Sequence, residues 1–258
     1  MIGYSILHNS PLFPNTEILL ISDMHNEPIK NCAPSEQINI SSLLKYFLDK
    51  GYIILLEEIP NKRDVVSYFP DSNHVRDTRE LYLENFDKII GFDIRLDLID
   101  SISLENSELP LITHFTNLLD FFMIKARSFE LEITKKYHLS MLIKFKNFIS
   151  KYIDDLKKKS LEVDKLVHKL ILTDLDNILS DIIEFYCFCR LSAELVQLKG
   201  SPQKYVINCG LYHSEKIIDI ICKQLKYTIK EQHGINKMEE TWLIESDASG
   251  MCVRYFHF

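Results

Sequence analysis

Two short aliphatic runs, Glu17–Asp23 (EILLISD) and Tyr52–Glu58 (YIILLEE), constrain this chain more than any other feature. Successive side chains of a strand point to opposite faces, so a run that is apolar throughout must be covered on both. The stretch between them predicts a helix. Ser35-Glu36-Gln37 opens it, and Ile40, Leu43, Leu44, Phe47 and Leu48 recur at helical spacing. Gly51 then stands where a helix-terminating glycine belongs. Strand, helix and strand in this order form a right-handed parallel crossover in nearly all cases. A second unit follows, with a helix over Arg76–Lys88 that turns Leu81, Leu83 and Phe86 inward, then a buried strand over Ile89–Ile94.

After Pro110 the texture changes: up to about Leu198 there is neither Gly nor Pro. Apolar residues recur there at three and four positions, as in Phe145, Phe148, Ile149, Tyr152, Ile153 and Leu156, which predicts two or three long amphipathic helices. Gly200-Ser201-Pro202 ends that stretch. A strand over Lys204–Asn208, a turn over Cys209–His213 and a helix over Ser214–Lys226 come next, and Thr241–Glu245 and Met251–Phe258 read as closing strands. The expected fold is α/β: a mostly parallel sheet flanked by helices, with a large all-helical insertion before the late Gly-Leu-Tyr-His turn. Residues 1–109 would form the first part of the α/β core, 110–199 the insertion and 200–258 the second part.

Composition narrows the partners. Thirty Lys and Arg against 37 Asp and Glu give a net charge of −7, so a nucleic-acid footprint, which needs a basic face, is not expected. The apolar runs Ile18–Ile21 and Ile53–Leu56 fall far short of a membrane span, and the first residues lack the pattern of a secretory leader. The cysteines, at 32, 187, 189, 209, 222 and 252, show no paired CxxC spacing. Cys187-Phe188-Cys189 suits buried thiols in a helix, and the expected setting is a reducing cytoplasm. The Ile-, Lys- and Asn-rich wording points to an AT-rich genome, such as that of a large virus or a low-GC microbe.

In parallel sheets ligands bind at the carboxyl ends of the strands. Here those ends carry Ser22–Glu27 with His25, then Glu57-Glu58-Ile59-Pro60, then Gly210–His213. Two imidazoles and a carboxylate on rigid strand ends make a common catalytic divalent-metal arrangement with positions open to water and substrate. A lone strand-end histidine is more often a satisfied hydrogen-bonding residue. Alternation sends Glu57 and Glu58 to opposite faces, so at least one faces covered sheet and needs a partner, whether a cation or an arginine. At the entrance of the second helix, His74 and Arg76 would meet an anionic group or a developing oxyanion, or form a solvated first turn together with Asp77, Arg79 and Glu80.

Taken in order, SDMH, LLEEIP, VRDTRELYLEN, IIGFDIR and YVINCGLYH resemble the superfamily that joins TIKI/TraB proteins, erythromycin esterases and ChaN-like haem-binding proteins. The resemblance covers about residues 16–97 and 203–222. It departs from the family pattern at Ser22 (Gly in the family), at Asn26, and at Leu81 and Leu83 (Met and Ala). The TIKI branch implies His25, Glu58 and His213 as ligands of a divalent cation (Mn, Co or Zn). The esterase branch implies the first histidine as a base positioned by the acid and the arginine, and the ChaN-like branch implies haem. The Glu-x-Pro spacing favours Glu58 over Glu57 as the acid.

The expectation is therefore a hydrolase for a small-molecule or peptide ester or amide, with Arg76 stabilising the oxyanion and Tyr212 or His74 donating a proton. The alternative is a non-catalytic binding protein on the same fold, taking haem, a small ligand or a protein partner. On that reading the insertion would serve self-association into a homo-oligomer, and Phe115–Phe129 would line a ligand groove or the core.

Overall fold

The computed structural model describes residues 2–23, 39–57, 73–93, 164–197 and 203–240, with side-chain surroundings from Asp77 in the second helix and from Ser180 in the third, Ile182 aside. The chain divides into two compact units, Met1–Asp93 with Leu198–Phe258, and Ile94–Gln197.

The first unit is built on a mixed sheet. Among the described residues its strands are β1 (Gly3–His8), β2 (Thr16–Asp23), β3 (Ile53–Leu56), β4 (Ile89–Gly91), β5 (Gln203–Gly210) and β6 (Thr228–Gly234), in the order β4-β3-β5-β2-β1-β6. The β4–β3, β3–β5 and β5–β2 pairs are parallel, whereas β1 runs antiparallel to both β2 and β6. The apolar runs thus form the parallel centre: Leu20, Ile21, Ile54, Leu55, Leu56, Val206 and Ile207 are wholly buried.

One face of the sheet is covered by α1 (Ile40–Asp49) and α2 (Asn73–Glu84). Leu19, Ile21, Ile54, Leu56, Ile89 and Val206 meet Leu43, Leu44 and Phe47 of α1 and Leu81 and Tyr82 of α2 in one core cluster. At about 25 cal/mol per Å² of apolar surface, each such large side chain contributes on the order of 1.5–3 kcal/mol. Asn39 is the N-cap of α1, its side chain accepting from the Ser41 amide, so the helix begins at Ile40 and not at Ser35. At the other end Gly51 takes φ +82°, its amide bonded to Leu48 O, while the Tyr52 amide bonds to Phe47 O. That double closure is the αL glycine stop.

The opposite face carries α4 (Leu211–Leu225), which packs on β2 and β5. Ser22 and Ser214 join there, their hydroxyls 2.8 Å apart. Of the second unit the described part is α3 (Asp164–Gln197), a single helix of 34 residues in which Cys187, Phe188 and Cys189 are buried.

Several expectations change. The second helix spans Asn73–Glu84, and Leu83 and Phe86 are 46% and 52% exposed, while Thr78, Leu81 and Tyr82 are buried. Leu83 follows Leu81 by two positions, about 200° around a helix, so both cannot face the sheet. The helix stops early because Asn85 turns back, its side chain donating to Leu81 O. Cys209–His213 is not a turn either, since β5 runs to Gly210 and α4 starts at Leu211. Strands β1 and β6 were not expected, and the closing strands expected at Thr241–Glu245 and Met251–Phe258 lie outside the described residues, as do 110–163 of the expected insertion.

Candidate functional site

The chain leaves β3 toward α2 on one face and leaves β5 directly into α4 on the other. Because β3 and β5 are neighbours, their carboxyl ends flank a topological switch point, the place where open α/β sheets bind ligands.

Glu57 is the first residue past β3, and it is 1% exposed. Its own amide continues the ladder by donating to Asn208 O at 3.1 Å. Its carboxylate spans the switch point: Oε2 accepts the Gly210 amide at 2.7 Å, and Oε1 lies 3.3 Å from His213 Nε2. The reason is local. Helix α4 starts on a glycine, which offers no side chain to cap it, so the first turn takes its anionic partner from the adjacent strand. A carboxylate bonded to the N-cap amide is the through-space counterpart of the capping box and lies at the favourable end of the helix dipole.

His213 occupies the first turn of α4 and is 7% exposed, its ring edge-on to Tyr212 at 5.4 Å. Tyr212 is 38% exposed, and its hydroxyl accepts from Lys216 Nζ at 2.8 Å. Behind the pair, Ser214 donates to Leu211 O at 2.9 Å and receives the Ser22 hydroxyl, which ties the end of β2 to the helix that carries His213. The serine that stands where the resemblance has glycine is therefore a tether. Asp23 and Asp93, at the ends of β2 and β4, are also buried.

Of the expected site, the structure thus joins Glu57 and His213 and sets Tyr212 beside them. His25 and Glu58 lie outside the described residues, and His74 and Arg76 lie on the first turn of α2, their side chains likewise outside. Among the described residues no three His, Cys, Asp or Glu side chains converge on a metal position. Sequence reasoning missed Ser22, Ser214 and Asn208. Asn208 alone carried a signal, as the one polar side chain inside the strand stretch Tyr205–Cys209.

At the opposite, amino end of β2 and β5 lies an open pocket of about 320 Å³, lined by His8, Asn15, Thr16, Lys50 and Lys204 among others. The enclosed acid–imidazole pair, at the end where such sheets bind ligands, is the better candidate. The chain matches no protein-family model, and no curated protein or solved structure is significantly similar to it. Among the described residues no helix is long and apolar enough to cross a membrane.

Proposed function

We propose that this chain is a hydrolase in which His213, oriented by Glu57, activates water for the cleavage of an ester or amide. The observation that carries this reading is the 3.3 Å contact between two buried side chains from separate parts of the sequence, at the switch point of the sheet. Both carboxylate oxygens of Glu57 are engaged, one by Gly210 and one by His213, which suits an orienting group better than a nucleophile. With Nε2 turned to Glu57, proton transfer to and from a ligand runs through Nδ1. A fixed imidazole acting as general base contributes about 10²–10⁴-fold. Tyr212 stands next to that ring and retains its hydroxyl proton for a leaving group, since Lys216 is the donor in their contact. On this reading Arg76 serves as the oxyanion stabiliser and His74 as the alternative proton donor to Tyr212, and both side chains lie outside those described.

The resemblance also brings a divalent cation to His25, Glu58 and His213. Bound there, it would lower the pKa of its water and polarise the scissile carbonyl. Of those three side chains the described residues include His213 alone.

Purified protein should be assayed on short-chain p-nitrophenyl esters and acyl p-nitroanilides, before and after chelation, alongside His213→Ala and Glu57→Gln. The expected result is a loss of at least about 100-fold in kcat for His213→Ala and a smaller loss for Glu57→Gln. A folded His213→Ala protein that turns over these substrates at the parent rate sinks the proposal. Activity removed by chelation and restored by Mn, Co or Zn assigns the cation version.

A further inference from the structure

Asn208 has no exposed surface, and among the described residues neither its side-chain oxygen nor its side-chain nitrogen has a hydrogen-bond partner. Its place is not an ordinary corner of the core. It lies on β5, paired with Ile21 on one side and Leu56 on the other, with the pairs Ser22–Cys209 and then Asp23–Gly210 toward the carboxyl rim. By strand alternation it shares the α1 and α2 face with Val206. Its backbone carbonyl accepts the Glu57 amide, so the same residue borders the acid–imidazole pair.

An unpartnered buried carboxamide forfeits its hydration without return, and a leucine would fill the position at no such cost. Nearly all buried polar side chains in folded proteins have partners, so both ends unmet on one residue calls for a group that is absent from the protein alone. That group must present a donor to Oδ1 and an acceptor to Nδ2. A metal ion would satisfy the oxygen and leave the nitrogen unmet. A phosphate or an ester accepts only, which leaves the oxygen unmet. A single water or hydroxyl oxygen has to meet both ends at one point, whereas the edge of a primary carboxamide offers N–H and C=O side by side, a pairing that a trans secondary amide, with the two groups pointing apart, does not make.

We infer that Asn208 reads the primary carboxamide of a substrate near the carboxyl rim of β3 and β5, so that the chain acts on primary amides in preference to esters. This deepens the hydrolase reading and rests on it for the reaction, though not for the binding. A site built to hydrogen-bond a substrate N–H rejects the analogue that lacks it, because its own buried polar group is then left unpaired.

The test uses the full chain labelled with ¹⁵N, with acetamide and methyl acetate as matched probes. The Asn208 side-chain NH₂ signals are identified by their loss in Asn208→Leu, and in Asn208→Ser should the leucine variant fail to fold. Saturable shifts of those signals with acetamide, absent with methyl acetate, are the expected result. No shift with either probe, equal shifts with both, or a bound water contacting the NH₂ group that the amide does not displace would each overturn the inference. Turnover separates the two claims. Amide-selective shifts in a protein that hydrolyses nothing sink the hydrolase reading alone. Hydrolysis that needs His213, without those shifts, sinks this inference alone.

Discussion

Glu57 and His213 meet across the switch point of the sheet, Oε1 to Nε2 at 3.3 Å, while the other oxygen of Glu57 holds the amide that opens the helix bearing His213. One carboxylate therefore does two things: it caps α4 and it fixes the imidazole that α4 presents. Position and orientation of the ring share a cause, which makes their loss separable by choice of substitution.

Glu57→Gln keeps an oxygen for the Gly210 amide but removes the charge, so it should disturb the ring more than the helix. Glu57→Leu removes both. His213→Ala removes a hydrogen-bond partner from one oxygen of a buried carboxylate that keeps its bond to the Gly210 amide, and should cost about 1–3 kcal/mol. In a double-mutant cycle with Glu57→Leu and His213→Leu, urea titrations should give a coupling of about 0.5–3 kcal/mol. Strict additivity of the two changes would show that the contact does not tie β3 to α4.

The two tethering serines should not be equivalent. Ser214 spends its only hydroxyl proton on Leu211 O, so Ser22 must be the donor in the 2.8 Å contact between them. Ser22→Ala removes a donor from an oxygen that still makes its own bond, a loss of about 1 kcal/mol. Ser214→Ala strands the Ser22 hydroxyl, which is fully buried, and should cost about 1–3 kcal/mol. The reverse ranking in thermal melts would mean that the proton order is wrong.

The parallel centre of the sheet was legible because burial on both faces leaves continuous apolar runs, as at Ile18–Ile21 and Ile53–Leu56. Strand β6 was not, since its residues Thr228–Gly234 are almost all exposed and leave no hydrophobic pattern. It exists through pairing with β1, a long-range fact absent from local spacing. The site was half legible for a similar reason. Strand ends mark where a ligand binds, and they brought Glu57 and His213 forward. Which acid meets the histidine depends on where β3 stops and on α4 starting without a turn, and neither leaves a local signal. The preference for Glu58 came from the Glu-x-Pro spacing of the resemblance, and that residue lies outside those described here.

Alkaline pH should unfold the protein through two tyrosines. Burial, then the hydrogen bond to Glu231 and its charge, push the Tyr4 hydroxyl up to about 12. Burial does the same for Tyr227, against the opposing contact with Thr16. The unfolded chain ionises its tyrosines near the ordinary value of about 10. Between those two values the folded state holds protons that the unfolded state has released, so stability is complete below about pH 10 and falls as pH rises toward 12. Tyr4→Phe should be less stable than the parent at pH 7, by about 1 kcal/mol for the lost hydrogen bond, and that gap should narrow above pH 10. On the acid side, Glu231 is held below the usual carboxylate range by Tyr4 first, so its contribution is lost as pH falls through that lowered value; exposure to solvent keeps it small. Denaturant midpoints measured from neutral to strongly alkaline pH check the sign, and a parent whose stability rises through this window refutes it.

The glycines should sort by what their missing side chain would strike. A Cβ on Gly3 would lie 2.1 Å from Ile235 O, and one on Gly234 would lie 2.3 Å from Ile2 O with φ already at +71°. Both are backbone collisions at the β1–β6 pairing, where neither partner can rotate away. At Gly51 the space is open and only the φ of +82° opposes a side chain. Gly51→Ala should therefore cost about 1–2 kcal/mol, the ordinary penalty for a left-handed residue. Gly3→Ala should cost more, because β1 and β6 must separate to admit it, and Gly234→Ala more still, since it adds conformational strain to the collision. Hydrogen exchange gives the sharper readout: Gly3→Ala should release amides of β1 and β6 while the Ile53–Leu56 amides of β3 stay protected, because that strand sits across β5 and β2 from the damage. Equal loss of protection across the whole sheet would mean that this pairing does not open independently of the parallel centre.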